Sequence, residues 1–358
     1  MKIIFTSDLA GLGGGEVSLL YIMEELIKRK HQIYLICRYD GELVKRAEEL
    51  GVIVYICNFK KEILKLIKIL NIINKNNKID IIHNNELTTA ILFGILRFKY
   101  SYKNVTTCHG QWYKLSKIKQ KLINKYVKHI YCVSNSVKEN LSNQSINNLS
   151  ISYLGVPTNK FDRKIEDNKL KKDLGINNEI VVLTIARYQK IKGQLKGVKA
   201  IEELVKNGFN IKYLLIGDNV FNNEEDEKYK KEVLDYISEN NLNKYIKVLG
   251  ERRDIPELLS IADIVLITSD NESFGVVAIE ALAANRVVLS TPCDGVKEIL
   301  QNDKNMICSD NDYRSLSKTI KDYLTNMELQ NNTKKQIIKY FKKFDIKEVV
   351  EHYLQFYK

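Results

Sequence analysis

Proline is scarce in this chain, three residues in 358, and cysteine pairs at metal-ligand spacing are missing. The six cysteines (Cys37, Cys57, Cys108, Cys132, Cys293 and Cys308) lie far apart, with no C-x-x-C pair and no histidine beside them at zinc-ligand spacing. That argues against a structural metal site and a disulfide framework. Most sit inside strand-like runs such as Ile33–Cys37 and Ile53–Cys57 and read as small buried hydrophobes. Long apolar runs are missing too: Leu87–Leu96 is the nearest candidate, about half of the roughly 20 residues that span a bilayer. The opening Met1-Lys2-Ile3-Ile4-Phe5 meets Asp8 too soon for a secretory leader, so a cytoplasmic protein without a membrane span is expected. There is no cluster of aromatic residues for stacking bases, which argues against nucleic acid as a partner.

What is present describes a folded protein, neither fibrous nor disordered. Hydrophobic residues make up 44% and charged residues 28% of it, and 358 residues suit two cores of roughly 150 to 180 residues better than one. Net charge is +12 and is unevenly placed. Residues 1–160 hold 24 Lys plus Arg against 12 Asp plus Glu, whereas residues 161–358 hold 32 of each. The excess therefore belongs to the first half, where it suits an acidic partner or simply a soluble basic face.

Short β-branched runs alternate with longer amphipathic ones: Lys2–Thr6, a helix over Glu16–Lys30, Gln32–Cys37, Val52–Cys57, a helix over Lys61–Asn74, Ile79–His83, Thr88–Phe98, Asn104–His109 and His129–Val133. Such alternation predicts a parallel sheet with helices on both faces. After Tyr153-Leu154-Gly155-Val156-Pro157 the polar stretch Thr158–Asn168 has no periodicity and reads as a hinge. A second alternating series follows, from Ile180–Ala186 to Val287–Ser290. The expected fold class is α/β with two Rossmann-like domains, residues 1–158 and 159–340, and a closing segment 341–358. In that segment Asp345-Ile346-Lys347-Glu348 resembles an acidic N-cap with glutamate at the third helical position, opening a helix that ends near Tyr357.

The strongest constellation is Thr268-Ser269-Asp270-Asn271-Glu272-Ser273-Phe274-Gly275-Val276-Val277-Ala278-Ile279-Glu280, which leaves a strand and enters a helix expected to begin near Ser273. A helix start offers unpaired N–H groups and a positive dipole end, a seat for phosphate. Glu272 then precedes the helix and Glu280 lies about two turns into it. At that spacing the two carboxylates suit gripping hydroxyls better than sharing one proton; an exposed helical glutamate is the plain alternative for Glu280. Ile185-Ala186-Arg187-Tyr188-Gln189-Lys190-Ile191-Lys192-Gly193 also follows a strand and precedes a helix. Two cations at a strand end neutralise a diphosphate leaving group without a metal. Gly11-Leu12-Gly13-Gly14-Gly15-Glu16 is a glycine-rich turn without the Gly-Lys-Ser/Thr of a P-loop, which argues against an ATPase.

The first of these segments resembles the Glu, seven residues, Glu motif of retaining glycosyltransferases, and the set is similar to glycosyltransferase family 4, whose fold is GT-B. The resemblance implies two parallel sheets facing a central cleft, with the first domain binding the acceptor, the second binding the nucleotide-sugar donor, and the last helix returning to the first. It implies that Glu272 contacts donor-sugar hydroxyls, Glu280 the nucleotide ribose, and the amides of Phe274, Gly275, Val276 and Val277 the diphosphate and sugar. Arg187 and Lys192 match the family's diphosphate-stabilising cations; Ala186 stands where the family usually has glycine. Gly14, Gly15 and Glu16 match its Gly-Gly-x-Glu with the glutamate one residue early. His109, in Thr107-Cys108-His109-Gly110, matches a histidine that contacts the donor sugar. Arg252, in Val248–Pro256, falls in the loop bordering the base. Thr291–Glu298 takes the place of a Gly-Gly-x-x-Glu, with Asp294 for the first glycine. Lys30-His31 and Leu154–Pro157 with Phe161 are lesser matches, and His83, also at a strand end, is a candidate for the acceptor's neighbourhood.

The family's pattern further implies transfer with retention of configuration, no metal and no cofactor beyond the nucleotide diphosphate sugar, UDP-linked by preference. The acceptor would be a glycan or lipid-linked sugar in surface polysaccharide assembly. A GT-B sugar-nucleotide hydrolase or epimerase, or a non-catalytic nucleotide-sugar-binding protein, are the competing readings. From Tyr113 to Ile130 six lysines occur with no acidic residue, interleaved with Leu115, Ile118, Leu122, Ile123, Tyr126 and Val127. Helical spacing sets a cationic face against an apolar one there, which suits peripheral contact with the anionic inner face of the plasma membrane. Phe59–Ile73 is a second such stretch, or an ordinary helix packed on the sheet.

Overall fold

The strand-forming runs are built from Ile, Val, Leu and Tyr with few polar interruptions, the pattern of strands covered on both faces. In the computed structural model, which describes residues 1–76, 78–110, 114–161, 168–219 and 224–357, they form two wholly parallel sheets. Tyr113 and residues 162–167 of the expected hinge lie outside the described residues.

The chain divides into two compact units, one comprising Met1–Gly155 with the segment from Phe344 onward, the other Val156–Lys343. The first unit runs β1 (Lys2–Ser7), α1 (Gly14–Lys28), β2 (Gln32–Cys37), α2 (Glu42–Glu49), β3 (Ile53–Ile56), α3 (Ile63–Asn76), β4 (Ile81–Asn84), α4 (Thr89–Leu96), β5 (Lys103–Cys108), α5 (Lys117–Tyr126), β6 (His129–Cys132), α6 (Asn135–Ser142) and β7 (Leu149–Ile151). Its sheet order is β3-β2-β1-β4-β5-β6-β7. The second unit runs α7 (Thr158–Phe161), α8 (Asn168–Asp173), β8 (Ile180–Ile185), a 3-10 turn (Lys190–Lys192), α9 (Gln194–Lys206), β9 (Ile211–Ile216), α10 (Glu224–Glu239), β10 (Ile246–Gly250), α11 (Ile255–Ile261), β11 (Ile264–Ile267), α12 (Val276–Ala283), β12 (Val287–Ser290), α13 (Asp294–Ile299), α14 (Tyr313–Thr325) and α15 (Met327–Phe341). Its order is β10-β9-β8-β11-β12.

The last helix, α16 (Ile346–Tyr357), belongs to the first unit. Asp345 Oδ1 accepts the Lys347 N–H at 2.9 Å, capping the helix start. Ile346, Val349, Val350, Tyr353 and Tyr357 join Ile3, Phe5, Leu19, Met23 and Leu35 in one buried cluster. On the rim of that packing Arg29 donates to the Lys347 carbonyl at 3.2 Å and pairs with Glu25 and Glu351.

His83, one residue before the end of β4, lies beneath α16 and corrects one expectation. It is 2% exposed, its Nδ1 is bonded to the Tyr357 hydroxyl, and its Nε2 lies 2.7 Å from Thr107 Oγ1. Both ring nitrogens are used inside the core, so His83 anchors the last helix and does not meet an acceptor. All six cysteines are free and buried.

Candidate active site

The second sheet grows outward from β8 in both directions: β9 and β10 on one side, β11 and β12 on the other. Crossovers leaving β8 and β11 therefore diverge, which opens a crevice beyond the carboxyl ends of these two strands. The cationic and glutamate-bearing segments both emerge there.

The two segments are tied together along their backbones. The Asp270 N–H donates to the Ile191 carbonyl at 2.8 Å, and Thr268 Oγ1 donates to the Lys192 carbonyl at 2.7 Å. Lys196, in the first turn of α9, donates to Asp270 Oδ1 at 2.7 Å and to the Thr268 carbonyl at 3.3 Å. Gly193 makes this approach possible: its φ is +65°, and a Cβ there would stand 2.2 Å from the Thr268 oxygen. Within the frame, Lys192 Nζ donates to Glu272 Oε1 at 2.7 Å, and Ser269 Oγ donates to the same oxygen at 2.8 Å. The Lys192 and Glu272 side chains keep 19% and 18% exposure, so the pair is accessible yet largely shielded from water. Arg187 leaves the end of β8 half-buried, its carbonyl accepting from Gln194 Nε2 at 2.7 Å.

The helix carrying the second glutamate starts later than expected. α12 begins at Val276, because Gly275 adopts φ +105° and breaks helical continuity. Glu272, Ser273 and Phe274 consequently belong to the loop, and Glu280 stands little more than one turn into the helix. Glu280 is 6% exposed, which excludes the plain reading of a solvated helical glutamate. The N-terminal turn of α12, with Val276 buried and Val277 half-buried, points its dipole toward the Glu272 loop. Beyond β10, Arg252 makes two bonds to Asp254, Nε at 2.8 Å from Oδ1 and Nη2 at 2.5 Å from Oδ2, so its guanidinium is fixed in the loop expected to border the base.

In the first unit the glycine-rich segment forms the start of α1. Gly13 is the N-cap, Gly14 and Gly15 lie in the first turn, and Glu16 reaches back so that its Oε2 accepts the Gly13 N–H at 3.0 Å. Glu16 is thus a capping residue, with its position one early in the motif matching that local task. Gly15 packs on His109: a Cβ there would lie 3.2 Å from the ring Nδ1. His109 Nε2 lies 2.8 Å from Asn85 Oδ1, and burial lowers its pKa to about 4, leaving a neutral imidazole.

Of four residues singled out in the sequence, the structure brings Lys192 and Glu272 into contact, sets Arg187 on the same connection as Lys192, and places Glu280 buried on α12. Sequence reasoning missed Ser269, Thr268, Gln194 and Lys196, which hold the two segments in shape. Thr268 and Ser269 open the glutamate-bearing segment and Gln194 and Lys196 follow the cationic one, but as ordinary polar residues they carried no signal for a role. Among the described residues no group of three or more His, Cys, Asp or Glu is placed to hold a metal ion, and no helix is long and apolar enough to cross a membrane.

Residues 12–160 match the family described as Glycosyltransferase Family 4, and residues 166–340 match Glycosyl transferases group 1. The UDP-Gal:alpha-D-GlcNAc-diphosphoundecaprenol alpha-1,3-galactosyltransferase of Escherichia coli is 26% identical over 326 residues, 85% of this chain and 82% of that protein. The N,N'-diacetylbacillosaminyl-diphospho-undecaprenol alpha-1,3-N-acetylgalactosaminyltransferase of Campylobacter jejuni is 25% identical over 365 residues, 94% of this chain and 93% of the relative. Among solved structures, Anabaena Alr3699/HepE in complex with UDP and glucose superposes with a TM-score of 0.87 at 21% identity, covering 99% of both chains. That likeness shows the fold, GT-B.

Proposed function

The chain belongs to glycosyltransferase family 4, its second half a group 1 glycosyl transferase domain, and from that premise we propose that it moves a sugar from a UDP-linked donor to a lipid-linked or glycan acceptor, with retention and without a metal. The observation that carries this reading is the Lys192–Glu272 pair at 2.7 Å at the β8/β11 switch point, with Arg187 on the same β8–α9 connection as Lys192. Lys192 and Arg187 stabilise the departing diphosphate, the work otherwise given to a cation. Glu272 holds donor-sugar hydroxyls, Glu280 holds the ribose, and the first turn of α12 receives phosphate oxygens. No carboxylate stands as a separate covalent nucleophile in this scheme, so the acceptor attacks from the face the diphosphate leaves.

The names of the relatives support the donor and acceptor classes: one takes UDP-Gal, and both act on diphosphoundecaprenol-linked sugars. Peripheral membrane contact fits α5 and its surroundings, though the packing differs from a clean two-faced helix. Ile123 is fully buried, but Ile118 is 71% exposed among the lysines and Phe98, 79% exposed, sets its ring edge-on against Tyr126. An apolar tip inside a basic surface suits an anionic bilayer, each lysine near it contributing on the order of 1 kcal/mol. In the other stretch, Phe59–Ile73, α3 instead turns Leu66, Ile69, Leu70 and Ile73 into the core.

The test is donor consumption across UDP-, GDP- and ADP-sugars, with and without a polyprenyl-diphosphate-linked acceptor. Acceptor-dependent consumption of a UDP-sugar with an α-linked product is expected. Consumption indifferent to acceptor, or none with any donor, overturns the reading. Vesicles containing anionic lipid should sediment the protein at low salt and release it at high salt; failure to sediment it removes the membrane contact.

A further inference from the structure

The first sheet has a switch point of its own. β1 pairs with β2 on one side and β4 on the other, so the loops after β1 and β4 diverge at the sheet's carboxyl edge. Asp8 stands just beyond β1 and Glu86 just beyond β4. The Asp8 N–H donates to Glu86 Oε1 at 3.0 Å, with Ser7 Oγ 3.5 Å from the same oxygen. Lys60, past β3, pairs with Asp8 Oδ2, while Thr89 Oγ1 lies 3.4 Å from that oxygen and Arg38, past β2, 3.9 Å from Oδ1.

This arrangement leaves oxygen valences open. Glu86 Oε2 and Asp8 Oδ1 are buried with no hydrogen-bond partner among the described residues, as is His109 Nδ1 at the end of the neighbouring β5. Buried polar atoms are ordinarily satisfied, and leaving one unsatisfied is costly, so three such atoms at the ends of adjacent strands point to groups supplied from outside. The pair borders solvent, Glu86 being half-buried and the Asp8 side chain 13% exposed, while the two unpartnered oxygens are turned inward. The donor chemistry proposed above uses neither residue.

We propose that Glu86, together with Asp8, binds hydroxyl groups of the acceptor sugar at the β1/β4 switch point. The inference rests on the glycosyltransferase reading and adds the residues that select the acceptor. A sugar hydroxyl both donates and accepts, matching a carboxylate acceptor beside a carboxyl that keeps its proton. Burial, with the Asp8 and Glu16 charges adding to it, raises the Glu86 pKa to about 8. At neutral pH the proton belongs on Oε2, because Oε1 already accepts from Asp8. Three acidic groups so close disfavour phosphate, which separates this spot from a diphosphate seat, and the cations Lys60 and Arg38 are already turned onto Asp8.

The probes are the methyl α-glycosides of glucose, galactose and N-acetylglucosamine, applied to the whole chain at pH 7 and followed by saturation-transfer NMR. UDP binding by calorimetry reports the second unit. At least one glycoside should bind the wild type, Glu86→Ala should weaken it at least tenfold, and Glu86→Gln, which keeps a donor and an acceptor, should stay within about threefold. Glu272→Ala should leave that signal in place, and UDP affinity should be the same in both Glu86 variants as in the wild type. If Glu86→Ala also loses UDP, Glu86→Asp takes its role: it retracts the carboxyl by one carbon and should lose the glycoside while keeping UDP. Absence of any glycoside binding to the wild type, or unchanged binding when Glu86 is replaced, overturns the inference. UDP that fails to bind the wild type sinks the donor reading, while the glycoside comparison still decides this one.

Discussion

Lys192 and Glu272 lie 80 positions apart in sequence, yet their charged groups meet at 2.7 Å, with Ser269 sharing the glutamate oxygen. The contact fixes both side chains at the edge of one crevice, so neither has to be ordered when a donor arrives. Preorganised charge of this kind is the usual source of large electrostatic rate effects.

Arg187→Ala and Lys192→Ala should each lower donor turnover by roughly 10²–10³. Because Lys192 and Glu272 act as a pair, the Lys192→Ala/Glu272→Ala double variant should lose less than the product of the single losses. Steady-state rates for the four members of the cycle check this; full additivity means that the pair is not a functional unit.

Glu280→Ala should behave differently from Glu272→Ala. A carboxylate that holds only the ribose contributes about equally to ground and transition states, so its loss raises donor KM with little change in kcat. A hydrogen bond to a charged group is worth about 1.5–3 kcal/mol, or roughly 10- to 150-fold in UDP affinity. Calorimetric titration with UDP reads this directly, and unchanged affinity removes Glu280 from the nucleotide site.

Gly193→Ala should abolish activity and lower the melting temperature. The added carbon meets the Thr268 oxygen at 2.2 Å, so the two segments of the site must part. Gly208 is the control: its φ is +84°, but a Cβ there meets nothing within 4 Å. Gly208→Ala should cost about 1–2 kcal/mol of stability and spare the rate.

Stability should fall on both sides of neutrality. Glu86, with its pKa raised from 4.5 to about 8, binds its proton more tightly when folded; its contribution is complete below pH 4.5 and is lost as pH climbs through 8. His83 is lowered by burial to about 3, so its contribution is present above pH 6.5 and is lost as pH falls toward 3. Glu86→Gln should flatten the alkaline limb of the denaturant-midpoint profile between pH 5 and 8 and leave the acid limb intact. A limb that persists in this variant assigns the alkaline loss to other groups.

The strands were legible because β-branched runs covered on both faces need no partner to be recognised; Arg187, Lys192 and Glu272 were legible because they follow two strand ends, and Glu280 through its spacing from Glu272. α2 escaped notice since only Leu43, Val44 and Ala47 of its eight residues are buried, too short a stripe for periodicity. α14 hides its buried face behind Ser317 and Tyr323, which do not read as apolar. The start of α12 was misplaced by three residues because the sign of φ at Gly275 is not written in its neighbours. His83 and Glu86 sit three positions apart in one segment, and nothing local tells them apart. What separates them is that Tyr357, 274 residues away, reaches the first.

That last contact also sets an order of manufacture. The first unit's core includes Ile346, Val349, Val350, Tyr353 and Tyr357, and everything from Val156 to Lys343 must leave the ribosome before they do. Its seven strands are made early but stay uncapped over β1, α1 and His83 throughout synthesis of the second unit. The half of the enzyme made second is therefore the first to be completed.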